Sequence, residues 1–143
     1  TYNHRDMSLP QIRKQFADRT APQIERIKRA APNARVQIVG YPTIGTGPYY
    51  CLFHFGPRPA DSTFLPGIQD FENKAQWMQV DLAARTGVQF LDMKPSTRNN
   101  GMCADANQRM WAGLVDFSAG DGNLPIHMNQ RGHEHAANVI ARS

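Results

Sequence analysis

The stretch Ala31-Pro-Asn-Ala-Arg35-Val-Gln-Ile-Val39-Gly-Tyr-Pro42 carries the clearest information about the fold. Its Pro32-Asn33 pair ends a helical pattern, because a proline biases the residue before it towards extended backbone. The β-branched run at 35–41 then predicts a short buried strand, which ends at Gly40-Tyr41-Pro42. A helix, a tight turn and a buried strand in this order are typical of an α/β sheet covered by helices.

The same alternation continues along the chain. Apolar residues at helical spacing predict helices over 9–31, 68–86 and 130–141. Pro22 is expected to divide the first helix into two pieces, and Asn129 to cap the last one. A second strand is predicted at 88–92, directly after the C-cap signal of Gly87.

Two long segments, 43–66 and 94–126, are predicted to be irregular. Trp77 lies beside the apolar stripe of the helix at 68–86 and is expected in the core. Two strands are too few for a stable sheet of this kind. The fold class is therefore α/β with a mainly parallel sheet, and further strands are expected from sequence outside this chain.

Composition and charge fit an ordinary globular domain. The chain has 143 residues, of which 41% are hydrophobic and 20% charged. Eight Lys/Arg against three Asp/Glu fall within residues 1–35, but they alternate with apolar residues at helical spacing. This pattern favours a solvated helix face over a nucleic-acid site. No apolar run reaches the roughly 18 residues of a membrane span. A start at Thr1 without a signal peptide suggests a mature or trimmed product.

Two cysteines, Cys51 and Cys103, lie in the two irregular segments. They are interpreted either as a disulfide formed in an oxidising compartment or as two unrelated buried thiols. Neither a Cys-x-x-Cys pair nor a Cys/His cluster is present, and His133-Glu134-His135 lacks the spacing of a zinc helix. We therefore expect no metal and no cofactor.

Aromatic residues are concentrated in the first irregular segment. Tyr49, Phe53 and Phe55 are candidates for lining an apolar substrate cleft. The alternative is that they pack the segment onto the body of the domain.

The strongest candidate for chemistry is His127, in the segment Asn123-Leu-Pro-Ile-His127-Met-Asn129-Gln-Arg-Gly132-His133. A histidine held in a loop directly before a capped helix is well placed as a general base, because its surroundings are rigid while its ring stays accessible. The alternative is a structural histidine bonded to backbone.

This segment resembles the last motif of SGNH (GDSL-like) hydrolases, usually written His-Pro-Asn-x-x-Gly-His. Upstream, Leu9-Pro10 and the stretch from Ala31 to Pro42 resemble the helix and strand of secreted actinobacterial lipases and esterases in this family. Their cysteines also follow the Gly-Tyr-Pro strand and precede the histidine motif, as Cys51 and Cys103 do. The resemblance covers essentially the whole chain, in the right order.

The resemblance implies a three-layer α/β/α fold with a flavodoxin-like parallel sheet, of which residues 1–143 form the C-terminal half. It implies carboxylic ester hydrolysis, a Cys51–Cys103 disulfide, and a secreted or cell-envelope location. His127 would be the base. The family's aspartate, three residues before the histidine, is replaced by Leu124, whose backbone carbonyl is expected to orient the ring. Asp121 and Asp116 are the alternatives.

The family's nucleophile motif, Gly-Asp-Ser, is not found around any serine of the chain, which are Ser8, Ser62, Ser96, Ser118 and Ser143. We expect the chain to be inactive alone and to need a partner, an N-terminal fragment or chain that carries this serine. The substrate is expected to be an ester or lipid. The rival functions are an acyltransferase of the same fold and a non-catalytic lipid- or glycan-binding remnant or subunit.

Overall fold

The computed structural model describes residues 9–118 and 124–143. Ten elements follow one another along these residues: α1 (Leu9–Ala30), β1 (Gln37–Val39), β2 (Tyr49–Tyr50), β3 (Phe53–His54), β4 (Thr63–Phe64), α2 (Pro66–Thr86), β5 (Gln89–Leu91), α3 (Lys94–Thr97), β6 (Val115–Asp116) and α4 (Gln130–Arg142). The fold is mixed α/β, with four helices and three two-stranded sheets in the described part of the chain.

The described residues form two compact units, the first made of residues 9–38 and 74–90 and the second of 39–73, 91–118 and 124–143. In the first unit, Ile24 of α1 and Leu82 and Ala83 of α2 are buried. Lys28 Nζ donates a hydrogen bond to the Thr86 carbonyl (2.7 Å). The strands expected at 35–41 and 88–92 are present in shorter form as β1 and β5, and they pair with each other.

Helix α1 runs without interruption through Pro22, so the predicted division into two pieces is wrong. The proline lacks an N–H, which removes the hydrogen bond that the Asp18 carbonyl would otherwise accept. Its ring lies on an exposed face, whereas Ala17 and Ile24 on either side of it are buried. Burial on both sides outweighs the one lost hydrogen bond, and the helix continues.

Helix α2 confirms the prediction for 68–86 and ends where Gly87 adopts a positive φ of 64°. Trp77, however, is 69% exposed, so its predicted place in the core is wrong. At 100° per residue, Trp77 lies about 140° around the helix axis from the buried Leu82, and so faces away from it.

The second unit contains most of the two segments predicted to be irregular. They are tied down by short pairings: β2 with β4 antiparallel, and β3 with β6 parallel. A core of Tyr50, Met102, Met110 and Trp111 joins the two segments. The prediction missed these strands and α3 because each is only two to four residues long.

None of the described helices combines the length and apolar character needed to cross a bilayer.

Candidate functional site

The ring of His127 is exposed and held by one backbone contact. Its Nδ1 lies 2.8 Å from the carbonyl oxygen of Pro125. A carbonyl can only accept, so Nδ1 carries a proton, and in the neutral form of the ring Nε2 is the nitrogen without one. This is the tautomer that a general base needs, with its basic nitrogen free to receive a proton.

The backbone around His127 is fixed by a ladder of hydrogen bonds to residues 110–113. The His127 carbonyl accepts from Ala112 N (2.8 Å), Ile126 N donates to the Gly113 carbonyl (3.1 Å), and Asn129 N donates to the Met110 carbonyl (3.0 Å). The segment that carries the histidine is therefore anchored on both sides of the ring.

Helix α4 starts directly after this ladder. The predicted cap at Asn129 is confirmed: its Oδ1 accepts the N–H of Gly132 (3.0 Å), while its Nδ2 donates to the Arg109 carbonyl (2.8 Å). A Cβ at position 132 would overlap the Met110 carbonyl oxygen, so the first turn of the helix requires glycine there. The cap and the close approach together fix the histidine at the entrance to a helix.

Ile126, between Pro125 and His127, has a φ of 56°. A β-branched residue is strained in this region, because its Cβ crowds the following carbonyl. The positive φ folds the chain so that the Pro125 carbonyl comes within reach of the His127 ring. Strain of this kind persists where the surrounding structure enforces it, and it is concentrated at functional sites.

The carbonyl that contacts the His127 ring is that of Pro125, whereas the sequence led us to expect that of Leu124. The reason is the turn at Ile126, which brings the carbonyl two residues before the histidine against the ring. The side chain of Leu124 is exposed. Of the two alternative carboxylates, Asp121 lies outside the described residues.

Asp116, the other alternative, is occupied elsewhere. Its oxygens accept from the Arg109 guanidinium (2.9 and 3.1 Å), Gly113 N (3.0 Å), and both N and Oγ of Ser118. Although burial opposes ionisation, these hydrogen bonds and the Arg109 charge hold the pKa of Asp116 below its usual value. The carboxylate is an ionised structural group, already bonded to Arg109, Gly113 and Ser118.

His54, to which the sequence assigned no role, belongs to the same buried group. Its side chain is 0% exposed, and its Nε2 lies 2.9 Å from the Met102 carbonyl. Its Nδ1 lies 3.4 Å from Asp116 Oδ2. Burial, and then the nearby Arg109 charge, lower the pKa of His54. Its strand is only two residues long, which leaves no alternating pattern by which the sequence could have identified it.

The three aromatic candidates fall into two groups. Tyr49 contacts Phe64 (ring centroids 5.5 Å apart), across the β2–β4 pair. Phe53 stacks on Phe55 (6.4 Å), and Phe55 contacts Phe117 (5.9 Å), a residue that the sequence did not nominate. Phe55 and Phe117 are 61% and 78% exposed, so both rings lie on the surface of the second unit.

Cys51 and Cys103 form a disulfide, with Cα atoms 4.9 Å apart. This confirms the pairing that the resemblance implied. The bond closes a loop of about 50 residues and joins the two long segments next to the Tyr50–Met102 core. Loop closure of this length stabilises a folded chain by about 4 kcal/mol in the chain-entropy treatment.

The described residues bring a serine and a histidine together at another place. Ser96 Oγ lies 2.9 Å from His135 Nε2, on the exposed surface of the second unit. Ser118 is engaged with Asp116 and Arg109, and Ser143 with the end of α4. No group of three His, Cys, Asp or Glu side chains in the described ranges has the arrangement of a metal site.

Compared with protein-family models and with curated proteins, the chain matches none of them.

Proposed function

We propose that this chain supplies the general base, His127, of an SGNH-type serine ester hydrolase, and that it forms the C-terminal half of a three-layer α/β/α domain. The observation that carries the proposal is the contact of Nδ1 with the Pro125 carbonyl. It selects the ring tautomer that accepts the proton of an attacking serine at Nε2. The backbone carbonyl takes the place of the usual aspartate.

The reaction would proceed in two steps. The Nε2 of His127 removes the proton of a serine hydroxyl as the oxygen attacks the ester carbonyl, and the imidazolium then protonates the departing alkoxide. The first step leaves the acyl group on the serine. A water deprotonated by the same nitrogen then attacks this ester, and the imidazolium returns its proton to the serine oxygen as the carboxylic acid leaves. A carbonyl orients the imidazolium but stabilises its charge less than a carboxylate does.

The serine itself would come from a partner segment with the Gly-Asp-Ser motif. Two features support an incomplete domain: β1 and β5 form a sheet of two strands, and the large apolar side chain of Trp77 is exposed. Additional strands would extend this sheet, and a covering layer would bury Trp77. The Cys51–Cys103 disulfide supports a secreted or cell-envelope location.

The test uses the complex of this chain with the polypeptide that carries Gly-Asp-Ser, identified by intact mass under non-reducing and then reducing conditions. His127→Ala in that complex should lower kcat on a p-nitrophenyl ester by about 10²–10⁴-fold. His133→Ala is the matched control, since His133 is also exposed and only six residues away. It should change kcat less than about twofold.

Labelling with a fluorophosphonate identifies the nucleophile. The probe should modify the Gly-Asp-Ser serine of the partner and leave the isolated chain unlabelled. If the isolated chain hydrolyses the ester, with activity lost in Ser96→Ala but kept in His127→Ala, the proposal is wrong and the Ser96–His135 pair is the active site.

A further inference from the structure

The strands β3 and β6 bury polar side chains and expose apolar ones, which is the reverse of an ordinary surface sheet. Their register pairs Phe53 with Val115 and His54 with Asp116. Side chains alternate between the two faces of a strand, so His54 and Asp116 share one face, while Phe53, Phe55 and Phe117 share the other. The polar pair is buried and the three phenylalanines are 37%, 61% and 78% exposed. We call these three rings the aromatic face.

The aromatic face is held rigid from beneath. Asp116 binds the Arg109 guanidinium in the buried layer, and His54 contacts the Met102 carbonyl. At its rim, Phe117 N donates to the His54 carbonyl (3.0 Å) and Phe53 N donates to Asp61 Oδ1 (2.7 Å). An apolar surface supported by a fixed polar layer does not collapse inward, so its exposure is a stable property of the fold.

From these observations we infer that the aromatic face docks onto a neutral or zwitterionic lipid surface. Phenylalanine has no polar group to satisfy in water, and the ring of Phe55 contacts both of the others. A single acyl chain in a binding pocket has most of its own surface covered by walls. Rings exposed to this extent form an open platform, which suits an extended apolar boundary.

The area of the face disfavours a second copy of the chain as its occupant. Its exposed fractions correspond to roughly 350 Å², taking about 200 Å² for each phenylalanine side chain. A stable dimer buries about 800 Å² on each partner. The aromatic face supplies less than half of that.

Charge selects the type of lipid. The described residues of the second unit, which carries the face, include six Lys/Arg and seven Asp/Glu, whereas the basic residues are concentrated in the first unit. A net acidic body is not attracted to an anionic membrane. Contact through phenylalanine rings alone should therefore be insensitive to salt and should not require anionic lipid.

The position of the face deepens the proposed function, on which this part of the inference rests. Leu114, directly before β6, is exposed, and its neighbour Gly113 accepts the hydrogen bond of Ile126 N. The lipid-facing strand is thus joined through Gly113 to the segment that carries His127. Docking would bring the base to esters in an aggregated lipid, without the need for a deep acyl pocket.

The test measures binding alone, so it does not depend on hydrolysis. The oxidised chain is mixed with phosphatidylcholine vesicles, and its bound fraction is measured by flotation at low salt and in 1 M NaCl. Phe55→Ser/Phe117→Ser should weaken binding by about tenfold or more. Phe71→Ser is the matched control, because Phe71 is 71% exposed on α2. It should bind as the unmodified chain does, and near-UV circular dichroism verifies that all variants are folded.

Three results would overturn the inference: no binding by the unmodified chain, equal binding by the double variant, or release from the vesicles in 1 M NaCl. Binding only to vesicles that contain phosphatidylglycerol would contradict the choice of lipid; a preference alone would not, because the whole chain carries a net charge of +4. A dimer in sedimentation velocity that dissociates in Phe117→Ser would show that a second copy covers the face. If binding behaves as expected but His127→Ala leaves esterase activity intact, only the proposed function fails.

Discussion

Two histidines of the second unit make the same kind of backbone contact, but one is buried and the other is exposed. Each has one ring nitrogen against a backbone carbonyl: His54 Nε2 against Met102 (2.9 Å), and His127 Nδ1 against Pro125 (2.8 Å). In both, the carbonyl fixes the neutral tautomer. The other nitrogen of His54 is buried and faces the Asp116 carboxylate, whereas the ring of His127 is exposed. The backbone contact is common to both rings, and burial distinguishes the two histidines.

Asp116 shows a distinction that a sequence does not reveal, between a carboxylate that partners a histidine and one that neutralises a buried arginine. An acidic residue eleven positions before His127 is a reasonable partner for it. In the fold, Asp116 instead neutralises Arg109 below the aromatic face. Asp116 therefore lies beside the buried His54, whereas the ring of the exposed His127 contacts the backbone carbonyl of Pro125.

The largest expected effect comes from removing the buried ion pair between Arg109 and Asp116. Arg109→Met removes the buried partner of Asp116 and leaves a carboxylate without its counter-charge. The free energy of unfolding should fall by about 3–5 kcal/mol, measured by urea denaturation. His127→Met, at the exposed histidine, should change it by less than about 0.5 kcal/mol. Equal losses in the two variants would contradict the distinction between the buried group around Asp116 and the exposed His127.

The next effect is a pH dependence of stability that belongs to His54. Its pKa in the folded chain is lowered, chiefly by burial, so the unfolded chain binds its proton first. The stabilising contribution is present above the unfolded pKa of about 6.5 and is lost as the pH falls below it. The free energy of unfolding should decline there by up to about 1.4 kcal/mol per pH unit.

His54→Gln should remove this slope, and His127→Gln should keep it. Urea denaturation at pH values from 7.5 down to 5 measures both variants. The buried carboxylate acts in a separate window, because the pKa of Asp116 is lowered and its contribution is lost only in more acidic solution. A slope that persists in His54→Gln would assign it to another group.

The smallest effect concerns the turn at Ile126, directly before the exposed His127. Ile126→Gly relieves a positive φ that glycine adopts without strain, at the cost of a more flexible unfolded chain. The free energy of unfolding should rise by about 1 kcal/mol or less. The His127 ring is then held less firmly, so esterase activity in the complex should fall by roughly ten- to a hundredfold.

Leu124→Gly is the control for this prediction, since Leu124 is a neighbouring exposed apolar residue outside the region of positive φ. It should not increase stability. A gain in stability without any loss of activity in Ile126→Gly would show that the strained turn does not position the histidine.

The helices and their ends were predictable because their signals are local. The spacing of apolar residues identified α2, and single residues marked its end at Gly87 and the cap of α4 at Asn129. Pro22 shows the limit of local rules. Its effect on a helix depends on what the flanking turns bury, which only the tertiary structure determines.

The arrangement below the aromatic face was not predictable for the opposite reason. It rests on contacts between residues about 60 positions apart, such as Phe53 with Val115, in strands of two residues each. Two residues are too few to show an alternating pattern. The orienting carbonyl of Pro125 depended likewise on one backbone angle, at Ile126.

The Cys51–Cys103 bond has a consequence for the chain as a covalent object. A protease that cuts once anywhere between residues 52 and 102 opens the backbone but releases nothing, because the two pieces each retain one cysteine. The piece with Cys51 and the piece with Cys103 and His127 would stay joined, heavier together by one water molecule than the intact chain. They would separate only when a reductant is added. A nicked and an intact molecule are therefore almost indistinguishable by size until the sulfur bridge is opened.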